Sequence, residues 1–316
     1  MLKSFGVVIL LMLIGLFGCG QQTAAPSPAP TGHSSTGAET NLPDPHAGHS
    51  NNGAPSKVDH DSHVGHENMP MNMTSPRTLV VMTEPSQPAA GSMTKLMLRI
   101  QDVDGTPIKT FDVLHEKLVH LIIVRDGLDE FAHLHPDVDS SGMITTQFAF
   151  PKSGKYRLFA DHQPQGQPQG LATGEVNVVG NDDQAAALVP TALPEVTIGD
   201  IKTHISIRPG EQETKVQFHF VDGDGNSVSD LQPYLGAMGH LVIISDDGGE
   251  YVHAHPLSEA RTAPDGTVEF AAHIPKSGIY KAWGQFQRNG NVFTVPYVLK
   301  HEVDSADKES KVETAK

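Results

Sequence analysis

The chain carries one three-histidine pattern twice. His120 is followed thirteen residues later by His133-Leu134-His135-Pro136, and His240 thirteen residues later by His253-Ala254-His255-Pro256. An Asp-x-Asp-Gly turn precedes each copy, beginning at Asp102 and at Asp222. A Pro-Lys-Ser-Gly-x-Tyr stretch follows each, at 151–156 and 275–280. This is an internal duplication, and it restricts the fold to two versions of one small domain.

The pattern also fixes where the imidazoles fall. Val119 to Val124 reads as a strand, Arg125 to Glu130 as a polar turn containing Gly127, and Phe131 to His135 as a second strand. Paired as an antiparallel hairpin, they set His120 opposite His135, with His133 its diagonal neighbour on the same face. In the second copy His240 falls opposite His255, with His253 beside them. Opposed Cβ atoms stand about 4.5–5.5 Å apart, so three imidazoles can converge on one ion at about 2.0–2.1 Å. The expected ligands are therefore His120, His133 and His135 in one copy and His240, His253 and His255 in the other. Two additions distinguish the copies. Asp161-His162 falls where the second copy has Gln285-Phe286, which makes His162 a candidate fourth ligand, and Met238, two residues before His240, is a candidate thioether ligand. His115, His204, His219, His273 and His301 read as surface or packing residues.

Around the hairpins the chain reads as short strands separated by Gly, Pro and Asp, with no helical period. The first set is 79–82, 96–100, 144–150, 156–160 and 172–179; the second is 196–198, 216–220, 268–274, 280–287 and 292–299. The expectation is an all-β protein of two tandem Ig-like antiparallel β-sandwiches, at 77–180 and 195–303, with a linker at 181–194 and a charged tail at 304–316. Domains of this size fold without metal or disulfides.

The N-terminal residues bear on location. Lys3 precedes an apolar run from Phe5 to Gly18, too short to span a bilayer but suited to a signal peptide over residues 1–18. Leu16-Phe17-Gly18-Cys19 resembles a bacterial lipoprotein processing box, which implies a lipidated Cys19 and a protein anchored to the cell membrane on its extracytoplasmic face. Cys19 is the single cysteine, so disulfides are excluded and any metal site must use N, O or thioether ligands. Residues 19–76 shift to Pro, Ser, Gly, Asn and Thr and read as a disordered tether. That tether carries His46, His49, His60, His63 and His66, followed by Met69, Met71 and Met73. Imidazoles suit Cu(II) and Zn, whereas closely spaced thioethers select Cu(I). This pairing resembles the His/Met-rich segments of copper-resistance proteins of the bacterial envelope.

The order of strand, Asp-x-x-Gly turn, His hairpin and Pro-x-x-Gly-x-Tyr over about 77–303 resembles the YtkA-like group of extracytoplasmic Ig-like domains, here duplicated. The resemblance implies fold and compartment rather than activity. Other classes are disfavoured. With 37 acidic residues against 22 Lys and Arg, the formal charge of -15 repels nucleic acid. Gly127, His133, His135 and Asp139 resemble half of a cupin motif, but the second half is absent from both copies. No nucleophile elbow or phosphate loop occurs, so the chain is not expected to be an enzyme. Two readings remain. In the first, a metal-binding lipoprotein takes copper, or zinc, for capture, buffering or resistance, and its affinity falls below about pH 6.5 as the imidazoles protonate. In the second, an adhesion or assembly scaffold uses the histidines structurally. The sequence does not name a protein partner.

Overall fold

The computed structural model describes residues 77–181, 184–191, 195–210 and 213–303. Domain 1 contains β1 (Arg77–Glu84), β2 (Met93–Gln101), β3 (Phe111–Asp112), β4 (Val119–Arg125), β5 (Phe131–Leu134), β6 (Asp137–Val138), β7 (Ile144–Ala149), β8 (Gly154–Pro164) and β9 (Gly170–Val178). Domain 2 contains β10 (Glu195–Ile198), β11 (Ile201–Arg208), β12 (Thr214–Val221), β13 (Leu231–Gln232), β14 (His240–Ser245), β15 (Tyr251–Ala254), β16 (Thr267–Ala272), β17 (Gly278–Arg288) and β18 (Asn291–His301). The described residues are all-β, two Ig-like sandwiches in tandem, as expected.

In domain 2 the sandwich consists of a β10-β11-β12-β16 sheet facing a β13-β17-β14-β15 sheet, with β18 on β17. In domain 1 the two layers join through a short parallel contact of β1 with β9, Arg77 with Ala172 and Thr78 with Thr173, which departs from the purely antiparallel expectation. Each sandwich closes on its own apolar core. Leu98, Ile100, Leu121 and Leu158 contribute to the first, and Phe218, Phe220, Leu241 and Phe286 to the second.

The repeated motifs have local explanations. Tyr156 and Tyr280 each donate a hydroxyl hydrogen bond of 2.9 Å to the carbonyl four residues upstream, Lys152 and Lys276. This is the tyrosine-corner device of Ig-like sandwiches, and it accounts for the Pro-Lys-Ser-Gly-x-Tyr stretch. The Asp102 and Asp222 motifs are tight turns, with backbone N–H groups donating to the aspartate Oδ1 atoms. One strand assignment needs correction. The counterpart of β1 is β11, which pairs with β12 as β1 pairs with β2, whereas 196–198 lies in an additional edge strand, β10. Thr203, fully buried at a core-facing position, interrupts the apolar alternation that would have marked β11.

The hairpin strands β4 and β14 are buried on both faces. Leu121 and Ile123 point into the core of domain 1, whereas Ile122 and Val124 belong to a third apolar cluster with Val242, Ile244, Phe159, Tyr251 and Trp283. That cluster is the contact between the two domains, which lie in one compact unit. Its ring pairs are exchanged symmetrically. Phe131 stacks on Trp283 at 4.6 Å, and the equivalent Tyr251 stacks on Phe159 at 5.0 Å. Such pairs add about 0.5–1.5 kcal/mol each beyond the area they bury. Leu188, in the linker between the domains, packs on the same cluster.

Candidate metal centre

The expected register is present. Leu121 pairs with Leu134 and Ile122 with His133, so the next step sets His120 opposite His135. Leu241 pairs with Ala254 and Val242 with His253, which sets His240 opposite His255. His120, Ile122 and Val124 share one strand face, so the histidines point toward the domain contact and not into either core. The two triads therefore meet. Ring centroids lie 4.6–5.2 Å apart within the first triad and 4.8–5.6 Å apart within the second, and those of His120 and His240, one from each domain, lie 6.1 Å apart.

Hydrogen bonds fix the tautomers. The His120 Nε2–H donates to the Leu114 carbonyl at 2.8 Å, and the His133 Nδ1–H donates to Gln285 Oε1 at 2.6 Å. The Gln285 amide is oriented by its own donation to Thr294 Oγ1. A neutral imidazole carries a single N–H, so His120 Nδ1 and His133 Nε2 face each other as lone pairs at 3.0 Å, with His135 Nε2 3.2 Å from His133 Nε2. In domain 2 the His240 Nε2–H donates to the Tyr234 carbonyl at 3.0 Å and the His253 Nδ1–H to Asp161 Oδ2 at 2.9 Å. The remaining nitrogens, His240 Nδ1, His253 Nε2 and His255 Nε2, are buried without a hydrogen-bond partner. In each triad three ring nitrogens, one from each histidine, lie within 4.8 Å of one another.

Electrostatics keep the rings neutral. Burial is the largest cause depressing all six, to about 3 for His135 and well below the ordinary value for His133, His240, His253 and His255, with neighbouring imidazoles adding to the effect. His120 is lowered too, against the opposing pull of its Leu114 hydrogen bond. The neutral form therefore persists below pH 6.5, which moves the expected loss of binding to lower pH. Burial raises the Asp161 carboxyl, opposed by the Gln169 side-chain amide that donates to its Oδ1 at 2.8 Å.

The two candidate additions lie elsewhere. His162 occupies the same strand face as Leu158 and Ala160, donates from Nδ1 to the Ala160 carbonyl and meets Phe111 edge-on. Strand alternation aims Asp161, not His162, at the imidazoles. Met238 is packed in the core of domain 2. Cys19 and the linker residues His46, His49, His60, His63, His66, Met69, Met71 and Met73 fall outside the described residues.

Three contributors were missed by the sequence reading. Asp161 and Gln285 each reach a histidine of the other domain. His115, read as a surface or packing residue, stacks on His255 at 3.6 Å and lies 6.0 Å from both His120 and His240. It sits in a tight turn in which His115 and Glu116 both have positive φ, the pattern of a type I′ turn. Leu235 holds its place in the other copy. The apolar runs Leu121–Val124 and Leu241–Ile244 were the available signal, because an unbroken apolar strand is one buried on both faces.

Among solved structures, the chain is similar to FdeC, an Escherichia coli adhesin, at 16% identity over 73% of this chain and 64% of that one, with a TM-score of 0.23. It is similar to a two-domain fibronectin type-III segment of chicken tenascin at 12% identity, over 70% of this chain and 98% of that one, with a TM-score of 0.21. The chain thus spans less than two thirds of the adhesin structure, and superpositions this loose say nothing about function. No curated protein matches it. A family model described as a domain of unknown function, DUF8832, matches residues 77–178 and again 199–303, the second match leaving out β10, and the chain belongs to that family.

Proposed function

We propose that this protein is a membrane-anchored, extracytoplasmic lipoprotein that binds transition-metal ions, copper first and zinc as the alternative, for capture and buffering. The supporting observation is the convergence of three imidazole nitrogens in each triad, those of the second buried without a hydrogen-bond partner. Nitrogens around a four-coordinate ion with bonds of about 2.0–2.1 Å stand about 3.3–3.4 Å apart, close to the 3.0 and 3.2 Å separations in the first triad. Each unsatisfied buried nitrogen costs about 1–3 kcal/mol, and a cation bonded to three of them removes that cost. The second nitrogens of His120, His133, His240 and His253 donate to carbonyl, amide or carboxylate oxygens, the outer arrangement metal-bound histidines normally have. Three imidazoles suit copper and zinc alike, and the Met69-x-Met71-x-Met73 segment of the tether weights the choice toward copper. The signal at 1–18, Cys19 and the YtkA-like resemblance belong to the same proposal.

The scaffold reading has one observation in its favour: the His133–Gln285 and His253–Asp161 bonds join the domains without any ion. Thermal melts after chelator treatment separate the two. Metal capture predicts a higher melting temperature on adding copper or zinc, and no such rise when His135→Ala and His255→Ala are combined. A melting temperature indifferent to metal in the unsubstituted chain supports the scaffold.

A further inference from the structure

The two triads are equivalent in their own ligands and differ in what stands behind them. His253 donates to a carboxylate, Asp161 Oδ2, with both side chains fully buried. His133, its counterpart, donates to a neutral amide, Gln285 Oε1. Asp161 and Gln285 occupy the same place in the two copies, opposite His120 on β4 and opposite His240 on β14. Each histidine is thus oriented by the other domain, one of them through a carboxyl group and the other through an amide.

We infer that the two triads form an ordered pair, in which Asp161 of domain 1 makes the His240/His253/His255 triad the tighter site and the His120/His133/His135 triad the weaker, exchangeable one. This rests on the metal-binding reading above. A carboxylate accepting the distal N–H of a ligand histidine raises the basicity of its metal-binding nitrogen, whereas an amide oxygen does so much less. The carboxylate also offsets part of the charge of a divalent ion placed in a water-excluded contact, where charge is poorly screened. Asp161 is a positioning residue in this account, because it acts on the ion through His253. The crossed arrangement adds a consequence. The second ion enters beside a centre already positively charged, so filling the first site weakens the second. Ions are taken from solution at the domain-2 triad and given up first from the domain-1 triad.

The test is a Co2+ titration of the full chain against a competing chelator, read by visible d–d absorption. A buried three-imidazole site absorbs far more strongly than solvated six-coordinate tether sites. Two intense equivalents are expected, the first at least about ten-fold tighter, since outer partners alter affinity by about 10–100-fold. His255→Ala should remove the tight equivalent and His135→Ala the weak one. Asp161→Asn should weaken the tight equivalent ten-fold or more and the other by clearly less, since Asp161 reaches His253 by a hydrogen bond and His120 by charge alone. Gln285→Glu, which supplies the missing charge without removing any present contact of Asp161, should tighten the weak equivalent and narrow the gap. The inference is overturned if Asp161→Asn weakens both equivalents alike or neither, or if the tight equivalent disappears with His135→Ala. Absence of intense absorption in the unsubstituted chain would instead overturn the metal reading itself, and this inference with it.

Discussion

The two sandwiches hold their outer faces alike and their cores differently. On the contact face each repeats a buried apolar strand, three histidines, and an aromatic ring stacked on one from the other domain. In the cores, Leu98, Ile100 and His162 of domain 1 correspond to Phe218, Phe220 and Phe286 of domain 2, and Ala160 gives way to Gly284. A core accepts any set of apolar groups of the right total volume, whereas a contact between two copies must match geometry at each position. The buried strand, the three histidines and the exchanged ring pair are therefore kept in both copies where they meet.

Acidification should affect this arrangement most. Burial holds the folded-state pKa values of the contact histidines below the ordinary value of about 6.5. The unfolded chain therefore takes up protons first as the pH falls. Stability is complete above about pH 6.5 and is lost progressively below it, toward the folded values. Melting curves of the metal-free chain between pH 7.5 and 5 should show a steep decline, and a flat profile would remove the histidines from the buried contact.

Breaking the aromatic seal comes next. Trp283→Ala and Phe159→Ala should each cost about 3–5 kcal/mol in urea unfolding, and near-equal losses would support the exchanged stacking. The cores should then respond unequally. A Cβ on Gly284 would lie 2.8 Å from ring atoms of Phe218 and Phe286, so Gly284→Ala should cost about 1–3 kcal/mol. The reverse change in domain 1, Ala160→Gly, should cost only about 0.5–1 kcal/mol. The smallest effect belongs to His162→Phe, which makes domain 1 resemble domain 2. Stability should change by less than about 1.5 kcal/mol and metal content not at all, because the side chain faces the core.

Much of this was legible in the sequence. The hairpin register, the three converging histidines of each copy and the all-β sandwiches follow from period-two alternation and the duplication. What the sequence withheld depends on docking. Asp161 and His162 are adjacent, and only the strand face decides which of them meets the imidazoles. That Asp161 serves His253, ninety-two residues away, requires knowing that two apolar faces meet. The same contact recruits His115, whose ring stacks on His255 of the other repeat. Thr203 hid β11 because a buried hydroxyl reads as a surface residue.

The most direct measurement is metal content by elemental analysis, after loading with copper or zinc and dialysis, of the full chain beside the same chain carrying His135→Ala and His255→Ala. Both replaced side chains lie outside the crossed hydrogen bonds to Gln285 and Asp161, so the domain contact should survive. The account predicts that the unsubstituted chain retains about two more equivalents than the variant. Equal metal content in the two would contradict it and leave the histidines as a structural seal.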